Sequence, residues 1–223
     1  MKRFNKLDLA ALVIWLLPLA YLLYVFPTLP ATVPVHFGLN GTPDRYGTKN
    51  EFLIGPLVLM GMSVFVYFLL KFLPAIDPKK AVKFGDATFQ KIGIGIVLLM
   101  AVVSIGIMLA TVDKTFRVDK FILPAVALFF AFMGNLMHSI KPNYFAGLRT
   151  PWTLEDPDNW RATHRLAGKL WFASGLVLAV LVFLLPLKAG FIVFMSGIFV
   201  IVIVPVVYSY RYFKSHHPNK TGE

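Results

Sequence analysis

Apolar residues in this chain fall in long unbroken runs, not in the short alternations of a water-soluble fold. Charge-free runs cover 9–43, 52–70, 92–112, 121–140, 170–187 and 189–210. A helix that crosses a bilayer needs roughly 20 mostly apolar residues, with a range of about 17–25. Five runs fit one crossing each, and Pro27, Pro30 and Pro34 end the helical part of the first near Phe26. The pattern predicts an all-α, polytopic membrane protein with six transmembrane helices, at about 9–26, 52–73, 92–112, 121–140, 169–187 and 191–210. All six belong to a single membrane domain, 1–223. The basic Met1-Lys-Arg start imitates a signal peptide, but the apolar stretch is too long for a signal core and no A-x-A-like site follows. It reads as a mature span.

The connectors differ sharply. The segment 27–51 is dense in proline and glycine, which forbids a long helix. Within it, 33–37 predicts a short extended piece, and Asn40-Gly41 and Pro43-Asp44 predict turns. Between the second and third spans, Asp86 is a candidate helix cap. Pro186-Leu-Lys-Ala-Gly190 is short enough to force spans five and six into an antiparallel hairpin. The segment 141–169 is far longer and more charged than a connector needs. Gly93, Gly95, Ser104 and Gly106 in span three, and Gly168, Ser174, Gly175 and Ala179 in span five, predict close helix packing; a substrate path is the alternative.

Charge fixes an orientation. Only 15% of residues are charged, against about 25% in a soluble domain. The net charge is +11, and the basic residues divide sixteen to six between alternate connectors. By the positive-inside rule, both termini and 141–169 are expected in the cytoplasm of a multi-pass protein of the cell membrane, N-in/C-in. The basic residues are scattered among short connectors, which argues against direct nucleic-acid binding. No cysteine is present, so disulfides and thiolate chemistry are excluded. No Asp, Glu, Lys, Arg or His stands at mid-span; Asn135 and His138 read as the deepest polar groups. Ion-coupled transport and intramembrane hydrolysis place ionisable residues there, so both are disfavoured. No cofactor is implied.

Two regions carry chemistry. On the outer side, Pro34-x-His36-Phe37-x-x-x-Gly41-x-Pro43-Asp44 combines a titratable ring, a rigid turn and a carboxylate. The pair can stabilise the turn, contact an external ligand, or give two ligands to a metal, short of the three or four zinc takes. On the inner side, Asp156-Pro157 predicts an N-cap and first helical position. The following helix would run directly into span five and bring Trp160, His164, Ala167 and Trp171 onto one face. Arg161 and Arg165 form a separate stripe suited to anionic headgroups. Upstream, Asn143, Arg149, Thr150, Trp152 and Thr153 offer hydrogen-bonding groups. Arg149 can hold a loop by its carbonyls, or the segment can dock a protein; a purely interfacial anchor is the plainer alternative. Glu155 with His164 is an unconvincing acid–base pair, because nothing marks a substrate pocket.

The run Asn143-Tyr-Phe-Ala-Gly-Leu-Arg-Thr-Pro-Trp-Thr-Leu154, with Trp160-x-x-Thr163-His164-Arg and Gly168, resembles the signature of the SdpI family of bacterial membrane proteins. The outer Pro34–Asp44 motif resembles a companion domain of unknown biochemical role. Gly38, Leu148 and His138-Ser139 depart from the family pattern. The resemblance implies immunity to an exported toxic peptide, with signalling through a small cytoplasmic transcriptional repressor. It makes Pro34, His36, Phe37, Gly41, Pro43 and Asp44 candidates for an external ligand site. Asn143, Arg149, Thr150, Trp152, Thr153, Trp160, Thr163 and His164 become candidates for a cytoplasmic partner site. A transporter or exporter of peptide or lipid is the alternative, and a membrane enzyme using His/carboxylate pairs a second.

Overall fold

The computed structural model describes residues 4–38, 41–76 and 86–217. The expected turn residue Asn40, the basic segment around Lys79–Lys83, the side chain of Asp86 and the last tail residues lie outside the described part. Helix α1 (Lys6–Val25) starts at Asn5, whose side chain accepts from the backbone N–H of Leu7 and Asp8 while Asp8 accepts from Asn5 N–H. It ends in a short 3-10 turn, 26–28, where Pro27 stops the helix. The chain then forms β1 (Thr32–Phe37) and β2 (Pro43–Thr48), an antiparallel hairpin. Sequence reasoning anticipated the first strand and missed the second, because Pro43–Thr48 has no apolar alternation.

Thr48 and Glu51 form a reciprocal cap that turns β2 straight into α2 (Lys49–Ile76). The remaining helices are α3 (Asp86–Val112), α4 (Val118–Met137), the single-turn α5 (Pro151–Glu155), α6 (Pro157–Leu184) and α7 (Leu187–His216). Among the described residues, six helices, all but α5, are long and apolar enough to cross a membrane. They exceed or shift from the expected spans for local reasons. The α4 helix runs 118–137 and not 121–140, since Ser139 and Ile140 close tight turns beyond His138. The turn at 186–190 reduces to Leu185-Pro186, and α7 begins at once.

Helix α4 packs most extensively on α6, α2 on α3, and α6 on α7. Glycines explain the first contact. A Cβ on Gly168 would lie 2.8 Å from the Gly134 carbonyl oxygen, and one on Gly134 would lie 2.8 Å from that of Gly168. Gly175 meets the backbone of Ala127 and Ala131 in the same way, so the backbones touch directly. Gly93, by contrast, seats the Tyr67 ring, and Gly95 and Gly106 seat Phe132 and Phe121.

Two prolines leave carbonyls that side chains satisfy. Pro205 has no N–H to offer the Ile201 carbonyl, and Trp171 Nε1–H donates to that oxygen at 2.9 Å. Pro186 leaves Val182 short in the same way; Lys120 Nζ donates to it at 3.1 Å and also to Leu185 O. At the turn before α4, Asp113 accepts from the Thr115 hydroxyl and N–H. Those bonds hold its carboxyl below the usual carboxylate range.

Asn135 and His138 are not the deepest polar groups. Ser63 stands at the middle of α2, donating to the Met60 carbonyl, and the buried Ser104 hydroxyl lies well inside α3. Neither is ionisable. A charged pair does lie buried about one turn inside α1 and α2: Asp8 Oδ1 accepts from Lys71 Nζ at 2.8 Å and from the Tyr67 hydroxyl at 2.7 Å. Asn5 extends this network to Gln90 of α3 at 3.2 Å.

Candidate functional site

The hairpin sits at one end of the bundle, and 138–156 sits at the other. Val33 is fully buried among Leu22, Leu29, Phe52 and Met108, so β1 is plugged into the ends of α1, α2 and α3. The hairpin tip reaches across that end: a Cβ on Gly41 would lie 3.9 Å from both Asp119 Oδ1 and Leu187 Cδ2. Gly41 takes φ +75°, the left-handed turn conformation.

Ladder irregularities then bring the pair together. Pairing runs Pro34 with Tyr46, His36 with Arg45 and Phe37 with Pro43, so Val35 and Asp44 are each skipped. These bulges re-aim the side chains, and His36 Nδ1 meets Asp44 Oδ1 at 2.6 Å. The side chains remain 63% and 49% exposed, so the pair faces outward and not into the core. Pro34, Phe37 and Pro43 flank it, half-buried. Among the described residues, no group of three or more His, Cys, Asp or Glu side chains could hold a metal.

The other end is organised around buried side chains that bind backbone. Asn143 accepts from Phe145 and Ala146 N–H, each at 2.7 Å, and donates to the Lys141 and Ala146 carbonyls. The chain then passes Gly147, at φ +104°, where a Cβ would strike the His164 ring and approach Trp160. Leu148 N–H donates to His164 Nε2 at 3.1 Å, and the other ring nitrogen faces the Trp160 carbonyl at 2.9 Å. One nitrogen therefore accepts and the other donates, which fixes the Nδ1–H neutral tautomer. The His164 and Trp160 rings stack with centroids 4.0 Å apart, and Trp160 Nε1–H donates to the Ile140 carbonyl at 2.8 Å.

Thr150 and Thr153 cap α5 reciprocally, and the Thr153 hydroxyl donates to the Leu148 carbonyl at 2.7 Å. Thr163 donates to Asn159, whose amide reaches the Ser209 carbonyl of α7 at 2.9 Å. Thr150 also meets the Ser209 hydroxyl at 3.2 Å. Trp152 leans on Tyr210 at a ring separation of 5.0 Å. Arg149 reaches back to the Tyr144 carbonyl. Asp156 caps α6 by accepting from Asp158 N–H, with Pro157 at its first position.

This arrangement revises how the inner candidates can act. Asn143, Thr153, Trp160, Thr163 and His164 are buried. They cannot themselves touch a partner; they shape the loop. Arg149, Tyr144 and Phe145 are exposed and Trp152 half-exposed, so these carry the loop's surface. Glu155 is exposed and unrelated to His164, whose nitrogens are both committed to backbone. That removes the acid–base pairing. The residues that sequence reasoning missed are Asn159 and Ser209, which tie the loop to α7. The Asn159-x-x-x-Thr163 spacing was the available signal.

A family model described as the SdpI/YfhL protein family matches residues 139–209. A second, described as a domain of unknown function, DUF1648, matches residues 13–60. The chain is 23% identical over 211 residues to a Bacillus subtilis protein named immunity protein SdpI, covering 94% of this chain and 97% of that one. It is also 38% identical over 71 residues to an uncharacterised protein of Archaeoglobus fulgidus, covering 31% of this chain and 37% of that one. No solved structure matches. The SdpI-family resemblance is thereby borne out. The two matched regions contain the hairpin and the loop described above.

Proposed function

We propose that this multi-pass membrane protein of the SdpI family is an immunity protein of the cell membrane. In this reading it protects the membrane against an exported antimicrobial peptide and signals to a cytoplasmic repressor. The observation that carries the reading is the placement of the hairpin and the loop, each within a region that a family model matches, at opposite ends of one bundle. The hairpin end offers an exposed, hydrogen-bonded imidazole–carboxylate pair to a peptide arriving from outside. The loop end offers Tyr144, Phe145, Arg149 and Trp152 to a protein inside, on a backbone that Asn143, Thr153, Trp160 and His164 hold rigid. The charge asymmetry of the connectors supports N-in/C-in orientation.

No step in this reading is catalytic. His36 and Asp44 act as contact groups, and His164 as a scaffold. The similarity to a protein named for immunity supports the same conclusion. The test is survival of a peptide-sensitive strain expressing the chain, challenged with a panel of exported antimicrobial peptides. Wild type should protect against at least one peptide, and His36→Ala or Asp44→Ala should abolish that protection at equal expression. Unchanged sensitivity to every peptide would overturn the immunity reading.

A further inference from the structure

Beside the loop, the end of α4 and the start of α6 enclose a feature that the immunity reading does not use. Two adjoining recesses, of about 550 and 290 Å³, share His138 and Arg165 in their walls. The larger is the more polar of the two and basic, with Lys141 and Arg161 joining the shared pair and Trp160 also in its wall. The smaller continues along the α4–α6 groove, between Lys169, Gly134, Gly168 and Phe172. Among the described residues, no carboxylate lines either recess. The Arg161 guanidinium meets Asp158 on its own helix, but no described side chain pairs with Arg165, Lys169 or His138.

We propose that this basic recess and its groove bind one anionic phospholipid, headgroup phosphate against Arg165, Lys169 and His138, acyl chain over Phe172. The proposal goes beyond the immunity reading and needs only that the six helices cross a membrane. The phosphate is chosen by charge: the cationic Arg165 and Lys169 stand together with no described acid paired to either, and guanidinium binds phosphate in a bidentate manner. The lipid, in place of a soluble anion, is chosen by continuity. The recess opens lengthwise into an apolar groove between helices, and not only toward water. Arg165 and Phe172 are seven residues apart on α6, about 10 Å of helix. That rise carries a bound molecule through the headgroup layer, roughly 5–8 Å deep, into hydrocarbon. Gly134 and Gly168 set α4 and α6 backbone to backbone, which closes the floor of the recess between the two helices.

The test uses the full chain, purified in a neutral detergent, with its thermal unfolding midpoint followed as lipid is added. Phosphatidylglycerol should raise the midpoint saturably, while phosphatidylcholine and inorganic phosphate should not. Combined Arg165→Gln and Lys169→Gln should weaken the phosphatidylglycerol effect by roughly tenfold or more, from about 1 kcal/mol per basic side chain. Lys188→Gln, at the opposite end of the bundle, should leave it unchanged. If the double variant does not fold, Arg165→Gln compared with the charge-retaining Arg165→Lys in the same titration decides the matter, with the former losing clearly more affinity than the latter. Equal shifts from phosphatidylcholine, an unaffected Arg165→Gln, or equal loss in Lys188→Gln would each overturn the proposal. A phosphate effect matching that of the lipid would make this a soluble-anion site and overturn the lipid assignment.

Discussion

Gly147 is held at φ +104° with the Trp160–His164 stack immediately behind it. Any side chain there meets both a left-handed backbone cost and a buried ring. Gly147→Ala should therefore lower stability by about 1–3 kcal/mol, read as a fall in unfolding midpoint; an unchanged midpoint would refute the packing described. The His36–Asp44 pair lies at the other extreme. Both side chains are largely exposed, and exposed ion pairs contribute at most about 1 kcal/mol. His36→Ala with Asp44→Ala should leave the midpoint nearly unmoved while abolishing peptide protection. A large stability loss would instead make the pair a structural brace for the hairpin. At this scale the sequence was only partly legible. The His36–Asp44 spacing and the i, i+4 relation of Trp160 and His164 could be read directly. The burial of Trp160 and His164 could not, because it arises only when 143–148 folds back over α6. Nor could the Asp8–Lys71 pair be read, whose members meet across two helices.

Among the elements, the long helices are the legible part. An apolar run of bilayer length has essentially one way to satisfy its backbone in lipid, so composition alone identifies it. The hairpin was half hidden, since β2 gains its place from the Thr48–Glu51 cap and the Val33 plug and not from its own pattern. Helix ends were displaced wherever a cap or a proline intervened. Pro205 shows how such interruptions are repaired, through the Trp171 donor to Ile201. Trp171→Phe should cost about 1–3 kcal/mol by leaving that carbonyl without a donor in the membrane. In a Pro205→Ala background the helix supplies its own N–H, and the same substitution should cost markedly less. A double-mutant cycle with no coupling would contradict the repair.

For the molecule as a whole, the arrangement is a six-helix bundle with the hairpin at one end and the 138–156 loop at the other. The hairpin is anchored by α1, α2 and α3, while the loop is anchored by α6 and α7. The proposed peptide-contacting and partner-contacting sites therefore rest on different helices, joined through the α4–α6 and α3–α4 contacts. The whole account depends on the membrane separating them. The absence of cysteine permits a direct measurement, single-cysteine labelling of cells with a membrane-impermeant maleimide. Tyr46 of the hairpin and Tyr144 of the loop are both well exposed. Tyr46→Cys should label in intact cells, and Tyr144→Cys only after the membrane is opened. The reverse pattern, or labelling of both sites in intact cells, would contradict the two-sided arrangement on which the proposed function rests.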